Sequence, residues 1–244
     1  MLLSTILTGL VLGGTYALVA MGLTLQYGVA RIMNLAYGDL IIAASFGALV
    51  LFSAFGINPL LGMLLVIPAG FALSWAIYAI MLQPLARRSQ DRGRLEGDSI
   101  LVTFGLLFVI QGVALVVFGS GFQSYSFLAI PVDILGTTLA ANRLLAFILA
   151  VVFGLGLFLL LTRTRFGTVI RAVAANPGSA PLVGINVDSV ARFAFALGGA
   201  LAAAGGVVVS MYLTFSATMG VVFTMKALIV VIMGGVGNLL GALA

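Results

Sequence analysis

Residues 40 to 86 read LIIAASFGALVLFSAFGINPLLGMLLVIPAGFALSWAIYAIMLQPLA, a run without one charged side chain. One membrane helix needs roughly 20 apolar residues, so this run is long enough for two, with Ile57-Asn58-Pro59 as the turn between them. Working outward, further uncharged runs occupy 1 to 30, 99 to 132, 144 to 162, 193 to 225 and 227 to 244. They are continuously apolar, whereas the strands of a membrane barrel alternate in polarity over short segments. The expected fold is therefore all-α, a polytopic transmembrane helical bundle with about seven membrane segments in a single domain over 1–244.

Composition agrees. The chain is 63% hydrophobic and 7% charged, with a mean hydropathy of +1.30, while a soluble chain carries about 25% charged residues. The net charge of +5 does not point to nucleic acid, because the basic residues sit in short segments between apolar runs, where they orient the spans in a lipid membrane. With no Cys and no His, disulfides, haem-axial histidines, thiolate zinc sites and imidazole relays are excluded, and no metal or cofactor is expected. The first span, Met1 to Val29, lacks the basic n-region of a signal peptide.

Two arginine-rich loops between spans set the orientation: Arg87, Arg88, Arg92 and Arg94, then Arg163, Arg165, Arg171 and Arg192. Both belong in the cytoplasm, which puts the loop from Gly119 to Asn142 and the N-terminus outside. Small residues let helices approach closely in lipid. Gly9, Gly13 and Ala17 form one such ladder, and Ala194, Gly198, Ala202 and Gly206 form another. Each suits packing within the chain or against a second membrane subunit.

The segment 163–192 has its own structure. Thr168 to Ala175 reads as a short helix, Asn176-Pro177-Gly178 as a breaker, and Ser179 as the N-cap of a second short helix ending near Gly184. Such a hairpin suits docking a partner or lying on the membrane interface. The outer loop carries Phe122, Tyr125 and Phe127, which suit either a protein contact or the membrane surface.

No catalytic constellation is present. There is no pair of carboxylates expected to share a site, and no G-x-x-x-x-G-K-[ST] loop to hold nucleotide phosphates. The polar cluster nearest the membrane is Arg31-Ile32-Met33-Asn34-Leu35-Ala36-Tyr37-Gly38-Asp39-Leu40. It is either an ordinary cytoplasmic loop or a helix break lining a transport route. Asp39 suits an N-cap for the second helix or a negative collar for a cationic group.

Three stretches together carry a resemblance: NLAYGDL at 34 to 40, RAVAANPGSAPLVGINV at 171 to 187 running into FALGGALAAAGGV, and GGVGNLLGA at 234 to 242. The chain resembles, over nearly its whole length, the permease subunit of bacterial branched-chain amino acid ABC importers. The resemblance implies a pore-side helix start at Asn34, Ala36 and Gly38, and with Tyr37 and Asp39 of the same polar segment the expected translocation pathway is Asn34, Ala36, Tyr37, Gly38 and Asp39. It also implies a cytoplasmic coupling loop, 163–192, that meets ATP-binding ABC subunits through Arg171, Asn176, Pro177, Ala180, Gly184, Ile185 and Asn186. Its further implications are a second permease subunit, in a hetero- or homodimer, and an extracytoplasmic solute-binding protein, for which the loop aromatics Phe122, Tyr125 and Phe127 are the expected contact. The location implied is the bacterial inner (plasma) membrane, with no nucleic acid as partner and no ATPase site in this chain. Two departures stand out. The family usually has His where this chain has Tyr37, and its members continue past the last glycine motif, whereas this sequence stops at Ala244, so that either the chain is truncated or the last spans are absent. An ion-gradient-driven secondary transporter is the alternative, with Asp39 as its coupling acid; a structural membrane scaffold would need only the ladders.

Overall fold

The computed structural model describes residues 2–88, 92–134 and 137–235. Its helices are α1 (Leu2–Ala30), α2 (Tyr37–Phe55), α3 (Pro59–Ile77), α4 (Gln83–Arg88), α5 (Arg92–Phe118), α6 (Ala141–Arg163), α7 (Arg165–Ala175), α8 (Val187–Ser210) and α9 (Gly220–Gly234). Among the described residues six helical stretches are long and apolar enough to cross a membrane, and α9 is a shorter apolar helix. The expected bundle of about seven segments is what the chain forms. It is a multi-pass membrane protein.

The turn at Ile57-Asn58-Pro59 is built as its residues dictate. Gly56 ends α2 in the left-handed conformation at φ 65°, and its amide and that of Ile57 donate back to Phe52 O and Leu51 O, which satisfies carbonyls the helix end leaves open. Asn58 Oδ1 then accepts from Leu60 N at 3.0 Å, and Pro59 takes the first helical position, where a missing N–H costs nothing.

Helix α8 is the axis of the bundle. Nearly every residue from Ala194 to Ser210 is buried, and α1, α2 and α3 close on it wherever it lacks a side chain. A Cβ on Gly198 would strike Gln26 and Gly22 O, one on Gly199 would strike Ser74, and one on Gly206 would strike Ile41 O. The carbonyl of Gly206 also accepts from Ser45 Oγ at 2.9 Å. The ladder on α8 is thus spent inside the chain. The ladder on α1 is not: at Gly9 and Gly13 an added Cβ would meet nothing within 4 Å.

Three expectations are corrected. Arg87 and Arg88 are helical, because α3 continues through a π-turn at Tyr78–Leu82 into α4. Arg192 lies in the second turn of α8, where its guanidinium donates to Gln83 Oε1 and sits 5.0 Å from the centroid of Trp75. The seventh segment begins at Gly220 rather than after Lys226, which is carried inside α9. The connection between α5 and α6 adds a small antiparallel hairpin, β1 (Pro131–Ile134) on β2 (Thr137–Ala140).

Candidate functional site

Helix α1 stops at Arg31, whose φ of 56° turns the chain back on itself. Its guanidinium donates to Ala174 O of α7 at 3.4 Å, which fixes this corner at the arginine-rich end. From Ile32 the chain re-enters the bundle, and Ile32, Asn34, Ala36, Tyr37 and Asp39 are all buried. Irregular backbone at such depth must be satisfied by protein, and here it is. Thr103 Oγ1 accepts from Leu35 N at 3.1 Å. Thr224 Oγ1 of α9 accepts from Gly38 N at 2.8 Å and donates to Leu35 O at 3.1 Å. Asn34 Nδ2 donates to Gln26 Oε1 at 3.0 Å, and Gln26 Nε2 donates to Phe195 O at 3.0 Å. The Tyr37 hydroxyl donates to Val19 O at 2.8 Å. The segment is therefore packed inside the helical bundle rather than exposed as a surface loop.

Two helix N-termini meet at its end. α2 starts at Tyr37, entering from the arginine-rich side, and α9 starts at Gly220 after the chain returns from the opposite end of α8. They touch glycine to glycine: a Cβ on Gly38 would strike Gly220 O and Thr224, and one on Gly220 would strike the Asp39 carboxylate. Asp39 is not the cap of α2. That position is Ala36, with no side-chain cap bond, and Asp39 lies inside the first turn. Both of its carboxylate oxygens are buried without a hydrogen-bond partner among the described residues. A negative group at two helix starts is favoured by their dipoles, which gives the orphan carboxylate a reason to be there.

At the arginine-rich end, α7 buries Ile170 and Val173 and leaves Arg171 exposed. Gly167 lies against Leu160 O and Leu161 O, where no Cβ fits. The Asn176-Pro177-Gly178 break is made by the asparagine: its Oδ1 accepts from Gly178 N and Ser179 N at 3.2 Å each. Ser179, expected as a cap, forms no side-chain cap bond; its own amide is held by Asn176. A 3₁₀ turn, Ala180–Val183, follows and ends on Gly184 at φ 77°. Ala180 is buried as its anchor, while Phe166, Leu182 and Val183 are 70%, 86% and 74% exposed. Asn186 caps α8 by accepting from Ser189 N at 3.1 Å, with Ile185 half-buried beside it. Among the described residues the expected coupling set converges on this hairpin. Asp188 ties it to α4 through Arg87 Nε at 2.8 Å.

At the opposite end, Gln123 pairs backbone to backbone with Phe215. Tyr125 stacks on Phe52 at 4.8 Å, with Phe127 edge-on to the same ring at 6.5 Å. The Tyr125 hydroxyl lies 2.8 Å from Ser210 Oγ, and burial pushes its phenol up from its ordinary pKa. Tyr125 and Phe127 hold the loop on α2, while Phe122 is 75% exposed. No cluster of metal-ligating side chains exists among the described residues.

The chain matches, over residues 5–244, the family described as the permease component of branched-chain amino acid transport systems. It belongs to that family. It is 26% identical to the high-affinity branched-chain amino acid transport system permease protein BraD of Pseudomonas aeruginosa, over 99% of this chain and 81% of that protein. It is 30% identical to the probable branched-chain amino acid transport permease protein LivH of Methanocaldococcus jannaschii, over 93% and 72%. The LivH protein of Salmonella typhimurium is 26% identical over 99% and 81%. No solved structure matches at a significant level.

For a permease component, the residues that sequence reading missed are informative. Gly220 and Thr224 hold the start of α2, and Gln26 holds Asn34. Gly220 and Thr224 sit one helical turn apart inside an apolar stretch, a pattern that marks close packing but does not name its partner. The last glycine motif, from residue 236 on, lies outside the described residues.

Proposed function

We propose that this permease component is the membrane-spanning subunit of an ATP-driven importer of branched-chain amino acids or a related small polar solute, in a bacterial inner membrane. Residues 1–244 act as one transmembrane domain. ATP is hydrolysed on separate ATP-binding subunits, a second permease subunit completes the pathway, and an extracytoplasmic binding protein delivers solute at the loop that carries Phe122. The observation that carries the reading is the hairpin 163–192. A fold held by Asn176, Gly184 and Asn186 that leaves Phe166, Leu182 and Val183 exposed presents a preformed apolar surface for a soluble partner. The meeting of α2 and α9 at Asn34 to Asp39 is the element proposed to border the solute route, since broken helices whose ends converge inside a bundle are where transporters bind and gate.

A second reading has Asp39 behind it. A buried carboxylate without a partner also suits coupling to an ion gradient. Uptake of leucine into vesicles holding the chain, its partner permease and the ATPases separates the two. Uptake that needs ATP and the binding protein and persists with ion gradients collapsed supports the importer. Uptake that follows the gradient and ignores ATP overturns it.

A further inference from the structure

The only lysine in the sequence lies in an apolar helix. Lys226 is exposed near the middle of α9, and its ammonium donates to the hydroxyl of Tyr16 at 2.8 Å while sitting 4.8 Å from the centroid of the same ring. Tyr16 is twelve residues into the 26-residue span Thr5–Ala30, so the ammonium lies close to the middle of that span. With that span centred in the bilayer the interface is about 15 Å away, half the thickness of the hydrocarbon core. The lysine does not reach for it; its head is held on Tyr16.

A charge at that depth is costly even on the lenient insertion scale. Inside the chain nothing offsets the cost by charge: among the described residues the ammonium has no carboxylate partner. The face of α9 around it is otherwise apolar and uncovered, with Val222, Met225, Ile229 and Met233 all exposed. Beside Tyr16 on α1 the surface is open too, since Gly13, one turn away, would find no neighbour for an added Cβ. The ammonium has three donors, of which one is used on Tyr16. Hydrocarbon cannot satisfy the remaining two, whereas a hydrated route along this surface can.

We infer that Lys226, braced by Tyr16, is a solute-binding residue of the translocation route, where its ammonium takes the carboxylate of an amino acid or similar solute at the middle of the membrane. The inference rests on the permease reading and adds the chemical group that is recognised. Tyr16 is the positioning residue: its hydroxyl and ring fix the ammonium without cancelling its charge. A carboxylate passing an otherwise apolar bundle is stabilised there in a way that the amide of the same molecule is not.

The test uses the assembled transporter in vesicles with the binding protein. Lys226→Cys, in a chain with no native cysteine, reports the location: labelling by water-soluble methanethiosulfonates is expected, faster while the transporter turns over. No labelling in any state overturns the inference. Lys226→Gln is expected to raise the KM for leucine about tenfold or more, the size set by a lost hydrogen bond to a charged group. Lys226→Arg is expected to stay near wild type, and Tyr16→Phe to fall between the two. Leucinamide is expected to compete poorly against leucine in wild type. An unchanged KM in Lys226→Gln overturns the assignment. So does a Lys226→Gln chain that no longer assembles with the partner permease while Tyr16→Phe assembles and transports with wild-type KM, because the ammonium then pairs across subunits. A wild-type transporter that carries urea with ATP but no amino acid overturns the carboxylate assignment and leaves the permease reading standing. One that moves no solute with ATP defeats both.

Discussion

At Gly38 and Gly220 the backbones of two helices occupy space that any side chain would need. Replacing Gly38 by Val therefore forces the starts of α2 and α9 apart, and overpacking of this kind costs about 1–3 kcal/mol. The thermal midpoint of the detergent-purified protein should fall, whereas Gly9→Val, where nothing lies within 4 Å, should leave it nearly unchanged; equal shifts would contradict the packing at Gly38. Asn34→Ala removes the partner of Gln26 Oε1 and the acceptor of Ala36 N, and a buried polar group left alone costs about 1–3 kcal/mol. Asn34→Ala should destabilise accordingly, with Asn34→Asp destabilising as well, since the carboxylate cannot donate to Gln26 Oε1. Tyr37 and Asn34 were visible in sequence as polar residues at a break, but Asp39 read equally well as a cap. What decided against the cap was Asn34, whose side chain holds Ala36 N and lets the helix start earlier than a local pattern indicates.

At the scale of elements, the legible parts were those specified by neighbours in the chain. The Ile57-Asn58-Pro59 turn and the 163–192 hairpin were readable because Pro, Gly and Asn act within a few residues. The start of α9 was not. Residues 211 to 219 are uncharged and continue an apolar run, so hydropathy cannot distinguish a break there from a longer helix. The break is held instead by distant groups: Asn142 Nδ2 donates to Met211 O at 3.1 Å, the Tyr212 hydroxyl donates to Thr15 Oγ1 at 2.9 Å, and Phe215 pairs with Gln123. On the hairpin, Leu182 contributes little to the fold because it is 86% exposed. Leu182→Asp should keep the thermal midpoint within a degree or two of wild type while weakening retention of the ATP-binding subunits on affinity purification about tenfold or more, the scale of a central interface contact. Full retention would move the docking surface elsewhere.

Across the whole molecule, charge and packing divide the surface into distinct zones. The side walls, exemplified by Leu101 and Val116 at 71% and 88% exposure, are apolar where lipid meets them, while Arg87, Arg165 and Arg171 collect at the end that bears the hairpin and Asp133 sits at the end that bears the small sheet. Short segments rich in Lys and Arg stay in the cytoplasm, which predicts that the hairpin end is inside. This orientation supports the other assignments: an ATPase reaches the hairpin, and a binding protein reaches Phe122, only if it holds. The absence of native cysteine makes the check direct. In right-side-out vesicles a membrane-impermeant maleimide should label Ser120→Cys, which is exposed on the outer loop, and should label Ser179→Cys, exposed on the hairpin, only after the vesicles are opened. Immediate labelling at 179 with protection at 120 would invert the protein, exchanging the proposed positions of the ATPase and the binding protein.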